Sequence, residues 1–342
     1  MLREWAKIKF LYIRALIVAV LKREKIEVKK NKQAFVMLAA EYNNLGDIAI
    51  TYAQERFLKE HLPNDYEVIV IPYHKTFRVY FSMKKIVNKD TIITLIGGGN
   101  AGTLYEFIEY PRRFILKKFR KNKIISFPQS VYYGNSKKYV QYKKEFVKLC
   151  KKCDKLTLVA REKLSYERYK KMLGDTIDIL LVPDIVFSLD MSTEDEREGA
   201  SIILRDDKEK SKDTQKQSQV LKYVKTHFDK VSYNDTCDVC ISGNGYKEFF
   251  EYVLNLSRKE FAITDRLHGM ILSYITNTPC LSFDNNNHKI KSTYDTWLYD
   301  QDLIKMYEKD TFKEIDTYGN RKSLNKYFIS LTSKLEEYQK EN

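Results

Sequence analysis

The chain has 342 residues, enough for two α/β domains of ordinary size, and its hydrophobic content of 43% is that of a globular protein. Lysine and arginine number 60 against 46 aspartates and glutamates, so the formal charge of +14 favours anionic partners. The basic residues are spread along the whole chain and no nucleic-acid-binding module is recognisable, so we expect no nucleic-acid partner. Five cysteines are an odd number at low density, which argues against a disulfide framework and favours a reducing compartment.

Two Cys-x-x-Cys pairs occur, one at Cys150 and Cys153 and the other at Cys237 and Cys240. Structural zinc sites usually place their two pairs much closer in sequence than these. No cluster of His, Asp or Glu with metal-ligand spacing accompanies them. We therefore expect buried or half-buried thiols and no metal site.

The N-terminus carries an apolar stretch, residues 10–21, interrupted by Arg14. It is too short to span a bilayer, and a lysine-rich segment rather than a small-residue cleavage site follows it, which argues against a signal peptide. Two interpretations of this basic, amphipathic segment (1–33) stay open. It packs on the fold as a leading helix, or it lies in a membrane interface with its lysines on anionic lipid and with Trp5, Phe10 and Leu11 in the headgroups.

Residues 34–190 alternate short β-rich runs with helical stretches. The runs are apolar and rich in Ile and Val, as strands buried on both faces are. Helices such as 48–61 and 139–153 separate most of them, and repeated βα units predict a parallel sheet with helices on both sides. The predicted strands cover residues 34–40, 66–72, 91–98, 123–131, 156–161 and 177–184.

A polar, acidic segment at 188–199 has almost nothing to bury, and we place an interdomain linker at 191–199. A second βα series fills residues 200–342 and ends in an amphipathic helix at 321–340. The sequence thus predicts an α/β fold of two Rossmann-like domains facing a cleft, with ligands beyond the carboxyl ends of the strands. The strands of the second series are predicted at 200–205, 238–243, 261–264 and 279–284, and its other helices end near Phe228, cover 246–256 and begin near Arg266.

Two junctions between a strand and a helix carry glycine. In the first, Asn44 and Gly46 form a turn and Asp47 sits in the first turn of the next helix, either as a ligand-binding group or as a simple cap. In the second, three glycines at 97–99 expose backbone amides, either to a ligand or in a close-packed turn. Neither a Walker loop nor a G-x-G-x-x-G fingerprint is present there, which argues against a nicotinamide cofactor, and we expect no cofactor at all.

Two further junctions carry arginine. Arg161 follows the fifth predicted strand, where a lone arginine is usually a solvated charge or part of a salt bridge. With Thr264 or Asp265 as N-cap, Arg266, Leu267 and His268 fall in the first turn of a helix, where positive side chains have the wrong sign for the macrodipole. A bound phosphate or carboxylate corrects the sign, and His268 can exchange a proton near neutral pH. The alternative is a surface arginine beside a hydrogen-bonded histidine.

From about residue 35 to 297 the sequence resembles the polysaccharide pyruvyl transferase family. The resemblance rests on the order of short motifs and on their position at successive βα junctions. These are NNLGD (43–47), IGGGN (96–100), FPQS (127–130), VAREKLS (159–165), VPD (182–184), TDRLHG (264–269) and NNNHKI (285–290).

The resemblance implies a GT-B-like pair of domains and transfer of pyruvate from phosphoenolpyruvate to two hydroxyls of a sugar, which yields a pyruvate ketal and phosphate. By motif, His268 is the implied acid/base, and Asp47 binds or deprotonates the acceptor hydroxyl. The implied donor contacts are Arg161, Arg266, Leu267, His268 and Lys289, and the implied acceptor contacts are Asn44, Gly98 and Asn100.

The acceptor sugar belongs to a polysaccharide or to a lipid-linked precursor, two alternatives that the sequence leaves open. We expect a cytoplasmic protein, and the interfacial interpretation of residues 1–30 places it peripherally at the inner face of the membrane. The alternative enzyme is a GT-B nucleotide-sugar glycosyltransferase of surface glycan synthesis, although no obvious ribose-binding acid follows the TDRLHG turn. A third alternative is a membrane-peripheral scaffold without catalysis.

Overall fold

The computed structural model describes residues 2–205, 214–285, 288–308 and 318–340. The chain divides into two compact units, one of residues 1–40, 54–182 and 329–342 and the other of residues 41–53 and 183–328. Each unit contains one sheet in which every described strand pair is parallel, with helices between the strands. The expected architecture of two Rossmann-like α/β sheets is confirmed.

The first sheet has the order β2-β1-β3-β5-β6-β7, with β4 paired to β5. The central strands β1, β3 and β5 are almost entirely buried, as the runs of Ile and Val predict, whereas the edge strands β2 and β7 are mostly half-buried. The strand bounds are β1 Lys32–Ala39, β2 Tyr66–Pro72, β3 Ile92–Leu95, β4 Gly98–Gly102, β5 Lys123–Tyr132, β6 Lys155–Ala160 and β7 Asp178–Leu181. The helices with residues in this unit are α1 Leu2–Leu21, α2 Leu45–His61, α3 Tyr80–Ile86, α4 Glu106–Lys118, α5 Lys137–Cys150, α6 Lys163–Leu173 and α11 Ile329–Lys340.

The second sheet has the order β12-β11-β10-β8-β9. One side of it is filled by helix α7, whose Val220 and Val224 pack with Phe261, Ile263 and Leu281 of the strands. The strands are β8 Ala200–Ile203, β9 Val231–Tyr233, β10 Phe261–Thr264, β11 Cys280–Ser282 and β12 Ile304–Met306. The helices are α7 Thr214–His227, α8 Tyr246–Ser257, α9 Leu267–Ile275 and α10 Lys289–Thr293.

The prediction of a strand at 238–243 is wrong. The second strand of this sheet is β9, paired in parallel with β8 from Val231 against Ala200. Residues 238–243 instead form turns and irregular backbone, and the N–H of Ile241 donates to Asn43 Oδ1 at 3.3 Å rather than to a strand. The last strand, β12, was not predicted at all.

The C-terminal helix begins at Ile329, after a 3₁₀ turn at Asn325–Phe328, and not at residue 321. It belongs to the first unit, whereas the sequence assigned it to the second domain. Leu331 and Leu335 are buried, and Tyr338 Oη lies 3.0 Å from Thr157 Oγ1 in β6. The apolar face of this helix therefore packs against the first sheet. Apolar periodicity predicts that such a face exists, but not which sheet it packs against.

The predicted N-terminal helix is present as α1, and it contacts α3 in the first unit. Ala15 and Ala19 are buried, whereas Phe10 and Leu21 are 64% and 78% exposed. The side chains of Trp5 and Leu11 lie outside the described residues. Within the described part of the chain, no helix is both long and apolar enough to cross a bilayer.

All five cysteines are free thiols. Cys150 and Cys280 are buried and Cys153 and Cys237 are half-buried, as expected, but Cys240 is exposed. Burial raises the pKa of Cys153 to about 11, so this thiol stays protonated at neutral pH.

Candidate active site

The order in which the chain adds strands to the second sheet reverses between β8 and β10. The chain places β9 on one side of β8 and β10, β11 and β12 on the other. In a parallel sheet the connections then leave the carboxyl ends of β8 and β10 in opposite directions and open a crevice, the usual ligand site. The residues that follow these two strands are Arg205, and Asp265 with Arg266.

The turn after β10 differs from the prediction in one respect. Arg266 itself occupies the N-cap position of α9, with extended backbone (φ −100°, ψ 130°), so the first turn begins at Leu267. Thr264 is inside the strand, and its Oγ1 accepts the Arg266 N–H at 2.9 Å. The expectation that Thr264 or Asp265 caps the helix, with Arg266 in its first turn, is therefore wrong. Arg266 therefore precedes the first helical residue of α9.

Asp265 points into the unit rather than toward a ligand. Its Oδ1 accepts the backbone N–H of Arg205 at 2.8 Å, and its Oδ2 accepts Gln217 Nε2 at 3.2 Å. Burial raises the pKa of Asp265, although these donors and the guanidinium of Arg205 oppose the shift. Asp265 thus ties the end of β8 and helix α7 to the end of β10.

The guanidinium of Arg266 is held by Asp235. Its Nε donates to Asp235 Oδ1 at 2.9 Å and its NH2 group to Oδ2 at 2.5 Å, a two-point pair that fixes the plane of the group. Both side chains are largely buried. Asp235 was not predicted from the sequence, because a strand was placed at 238–243. The signal was available, since Asp235 comes two residues after β9 at the carboxyl end of the sheet.

His268 packs on the backbone of the first turn of α2. A Cβ atom built on Gly46 would lie 2.1 Å from His268 Nδ1 and 2.3 Å from Cγ, so only glycine leaves room for the ring. The φ angle of Gly46 is not in the left-handed region, so close approach and not backbone conformation requires the glycine. The NNLGD and TDRLHG motifs therefore meet in space.

The other side of the His268 ring faces Asp184 of the VPD motif. His268 Nε2 lies 3.8 Å from Asp184 Oδ2, which is an ion-pair distance when the imidazole is protonated. Asp184 is buried, and its Oδ1 accepts the Val186 N–H at 3.1 Å as the N-cap of a 3₁₀ turn. The resemblance includes this motif, but no role was predicted for Asp184. Three motifs, far apart in sequence, thus converge on one imidazole.

The turn before α2 is built by its own polar side chains. Asn44 Oδ1 accepts the N–H groups of Gly46 at 3.0 Å and Asp47 at 3.4 Å, so Asn44 caps the helix. Tyr42 Oη donates to Asp47 Oδ2 at 3.0 Å. The N–H of Leu45 donates to the carbonyl of Thr236, the residue after Asp235. The turn is therefore fastened to the same loop that orients Arg266.

Leu267 and Lys289 are the remaining predicted site residues of the second unit. Leu267 is buried at the start of α9. Lys289 is half-buried and begins α10, directly after His288, which has a left-handed φ of 56°. Asn286 and Asn287 of the NNNHKI motif lie outside the described residues.

Gly98, Asn100 and Arg161 belong to the first unit. The predicted glycine turn is instead strand β4, which begins at Gly98 and pairs with β5. The Asn100 side chain is buried, and its Oδ1 accepts from Arg112 NH2 and, at 3.2 Å, from Gln129 Nε2. Arg112 also pairs with the buried Glu109 at 2.8 Å. A buried polar network therefore fixes Asn100.

Arg161 is buried at the carboxyl end of β6. Its Nε donates to Ser130 Oγ of the FPQS motif at 2.7 Å, and Glu162 Oε2 lies 3.7 Å away. Ser130 in turn donates to Glu162 at 2.7 Å. The guanidinium is thus positioned by a serine and a carboxylate, and its contact with a donor stays a prediction.

The sequence profile of a family described as Polysaccharide pyruvyl transferase matches residues 44–287, most of the chain. The chain belongs to this family. Two curated relatives are General stress protein 30 of Bacillus subtilis, 35% identical over 85% of each chain, and Pyruvyl transferase 1 of Schizosaccharomyces pombe. The latter is 28% identical over 76% of this chain and 68% of its own.

A solved protein of Klebsiella pneumoniae, functionally uncharacterised, superposes on 88% of this pyruvyl transferase family member and on 98% of its own chain. The TM-score is 0.52 and the identity 18%, so the likeness concerns the fold alone.

Proposed function

We propose that this pyruvyl transferase family member moves pyruvate from phosphoenolpyruvate to two hydroxyls of one sugar. The main supporting observation is the convergence on His268 of Gly46 and Asp184, two residues from separate family motifs, beside the oriented guanidinium of Arg266. A titratable ring and a fixed cation at the carboxyl edge of a parallel sheet suit an anionic substrate that must be protonated.

The reaction balances without any further reagent. Protonation of the methylene carbon of phosphoenolpyruvate forms a methyl group and an electron-poor carbon at C2. The first sugar hydroxyl adds to C2 and releases its proton. The second hydroxyl then displaces phosphate, closing the ketal, and its proton leaves with the phosphate. The protein must supply a proton donor, a base and a site that excludes water.

Arg266 binds the carboxylate or phosphate of the donor in the orientation that Asp235 fixes. A guanidinium carries five N–H donors in one plane, and the carboxylate of Asp235 engages those at Nε and NH2, which fixes the direction in which the group faces the donor. The N-terminus of α9 adds a positive partial charge beside it. Leu267 packs against the donor, and Arg161 and Lys289 contribute further cationic contacts.

His268 delivers the proton. Asp184 lies at ion-pair distance from Nε2 and holds the ring in place as a positioning residue. Asp47, oriented by Tyr42, serves the acceptor hydroxyls as base or hydrogen-bond acceptor. Asn44, Gly98 and Asn100 contact the acceptor.

The test uses His268→Ala and Arg266→Ala, with His227→Ala and Arg258→Ala as controls in the same unit. His268→Ala should abolish ketal formation while phosphoenolpyruvate still stabilises the protein in a thermal melt. Arg266→Ala should weaken donor binding about tenfold or more, since a hydrogen bond to a charged group contributes about 1.5–3 kcal/mol. Protection by a nucleotide sugar but not by phosphoenolpyruvate, or equal rates for His268→Ala and wild type, would overturn the proposal.

We further propose that residues 1–30 hold the enzyme at an anionic membrane surface. Helix α1 is followed by the exposed Lys22, Arg23 and Lys25, and the formal charge of the chain is +14. Basic residues beside an apolar helix favour anionic lipid, by about 1 kcal/mol for each Lys or Arg near the surface. Removal of residues 1–30 should release the protein from anionic vesicles, and unchanged binding would exclude this contact.

A further inference from the structure

Helix α1 exposes a stripe of large apolar side chains. Among its residues whose side chains are described (10 and 13–21), the buried ones are the small Ala15 and Ala19, one turn apart, and Leu16 and Val18 are half-buried. Five large apolar residues lie on the side opposite the two alanines and are exposed at 47–78%. They sit at relative positions 0, 3, 7, 10 and 11, a stripe about 100° wide. We call this the α1 stripe, and it consists of Phe10, Ile13, Ile17, Val20 and Leu21.

A second exposed apolar group lies in the same unit at the carboxyl edge of the first sheet. Leu104 and Tyr105 follow β4, and Phe107 is in the first turn of α4 with an exposed fraction of 52%. The Phe107 ring contacts Tyr73, which follows β2, with centroids 5.8 Å apart, and Tyr105 at 6.2 Å. We call Tyr73, Leu104, Tyr105 and Phe107 the aromatic patch.

One short segment connects the aromatic patch to the end of α1. Tyr73 of the patch begins it, and Arg78 NH1 near its other end pairs with Glu24 Oε1 at 3.0 Å. The N–H of Glu24 donates to the Arg78 carbonyl at 3.0 Å, and Lys75 Nζ lies 3.6 Å from the same carboxylate. Glu24 is three residues beyond Leu21 of the α1 stripe. The patch and the stripe therefore flank one segment of the first unit, residues 73–78.

The charge beside the stripe is positive on balance. Exposed Lys22, Arg23, Lys25, Lys29 and Lys30 follow the stripe. Tyrosine and phenylalanine rings suit the headgroup layer of a bilayer, and leucine the acyl boundary. Large apolar side chains bordered by lysine and arginine match an anionic lipid surface in both chemistry and charge.

We propose that the α1 stripe and the aromatic patch together dock the first unit on an anionic lipid surface, so that the carboxyl edge of its sheet, with Gly98 and Asn100 nearby, meets a lipid-linked acceptor. This rests on the proposed transfer to a sugar only for the identity of the acceptor. The docking itself is independent of catalysis.

The test measures flotation of the full chain with vesicles of phosphatidylglycerol and phosphatidylcholine, and with vesicles of phosphatidylcholine alone. The variants are Leu104→Ser with Phe107→Ser for the patch, and Ile17→Ser with Val20→Ser for the stripe. Tyr299→Ser with Ile329→Ser is the matched control, since both of these residues are exposed elsewhere in the chain. All the substituted side chains are exposed in the native chain, and a thermal melt verifies folding.

We expect binding to the anionic vesicles only, a loss of about fivefold or more for the patch pair and for the stripe pair, and no loss for the control pair. Patch variants that bind like wild type would overturn the patch, and binding by none of the proteins would overturn the whole surface. If the wild type does not bind vesicles but self-associates, and the patch variants are monomeric, the surface binds a second copy of the chain and the proposal is overturned. Transfer to a water-soluble acceptor should survive in every variant, so failure of the docking and failure of the proposed reaction give different results.

Discussion

The contact between Gly46 and His268 gives a prediction at the scale of single residues. Gly46→Ala places a methyl group within 2.1 Å of His268 Nδ1, so the ring must leave its position. We expect a cost of about 1–3 kcal/mol in the free energy of unfolding, as for other overpacked sites, and a large loss of activity.

The same substitution in the His268→Ala variant separates the clash with the histidine ring from any effect on the turn itself. In His268→Ala the ring atoms at 2.1 and 2.3 Å are gone and only the Cβ of residue 268, 2.8 Å away, remains close, so Gly46→Ala should cost clearly less than in the wild type. Chemical denaturation of the four proteins measures the coupling between the two positions. Equal costs of Gly46→Ala in the two backgrounds would show that the glycine serves the turn itself and not the histidine.

Some residues of the site could be predicted from the sequence and others could not. Arg266 and His268 were predictable because positive groups at the start of a helix oppose its macrodipole, a local conflict that needs no tertiary information. Asp235 and Asp184 were not, because a carboxylate that holds an arginine or faces an imidazole can come from any loop at the same sheet edge. The wrong strand at 238–243 hid Asp235, and the cap position of Arg266 depends on backbone angles that the sequence does not state.

Asp265, which links β8 and β10, gives a pH prediction. Burial raises the pKa of Asp265 in the folded state, so folding favours the protonated acid. The stabilising effect of this shift is complete below the unfolded pKa, about 3.9, and is lost as the pH rises through the folded value. Compared with Asp265→Asn, the wild type should therefore gain stability as the pH falls from about 7 to about 4. Urea denaturation at both pH values measures the difference, and the opposite trend would contradict the burial argument.

Helices and strands show where pattern arguments are sufficient and where they are not. Strands β2 and β10 begin and end where the sequence predicts, because each is a short run rich in Ile, Val or Phe between clear breaks. Strand β9 was missed because three residues, two of them only half-buried, give no usable pattern. Helix α11 was recognised as amphipathic, but amphipathicity does not identify which sheet receives the apolar face.

The attachment of α11 is testable. Leu335 is fully buried and belongs to the first unit. Leu335→Ala should lower the free energy of unfolding by about 2–5 kcal/mol, the usual range for a buried leucine. Glu336→Ala, on the exposed side of the same helix, should change it by less than about 0.5 kcal/mol. Native-state hydrogen exchange should show faster opening of β6 in the leucine variant, and loss of protection confined to β8 and β10 would contradict the assignment.

The whole molecule was the most predictable level. Two series of βα units predicted two parallel sheets, and both are present, because the right-handed crossover and the buried faces of the strands leave few alternatives. The limits of the two units were less predictable, since residues 41–53 belong to the second unit although they follow β1 of the first. Only the folded chain brings the glycine turn of these residues to His268.

The proposed reaction is most directly tested by incubating the protein with phosphoenolpyruvate and a panel of lipid-linked and water-soluble oligosaccharides. Mass spectrometry follows the acceptor, and a phosphate assay runs in parallel. We predict an acceptor heavier by pyruvic acid less one water, phosphate released in equal amount, and neither product with His268→Ala. Phosphate release without the mass change, or a product carrying an added sugar when nucleotide sugars are supplied instead, would contradict pyruvyl transfer.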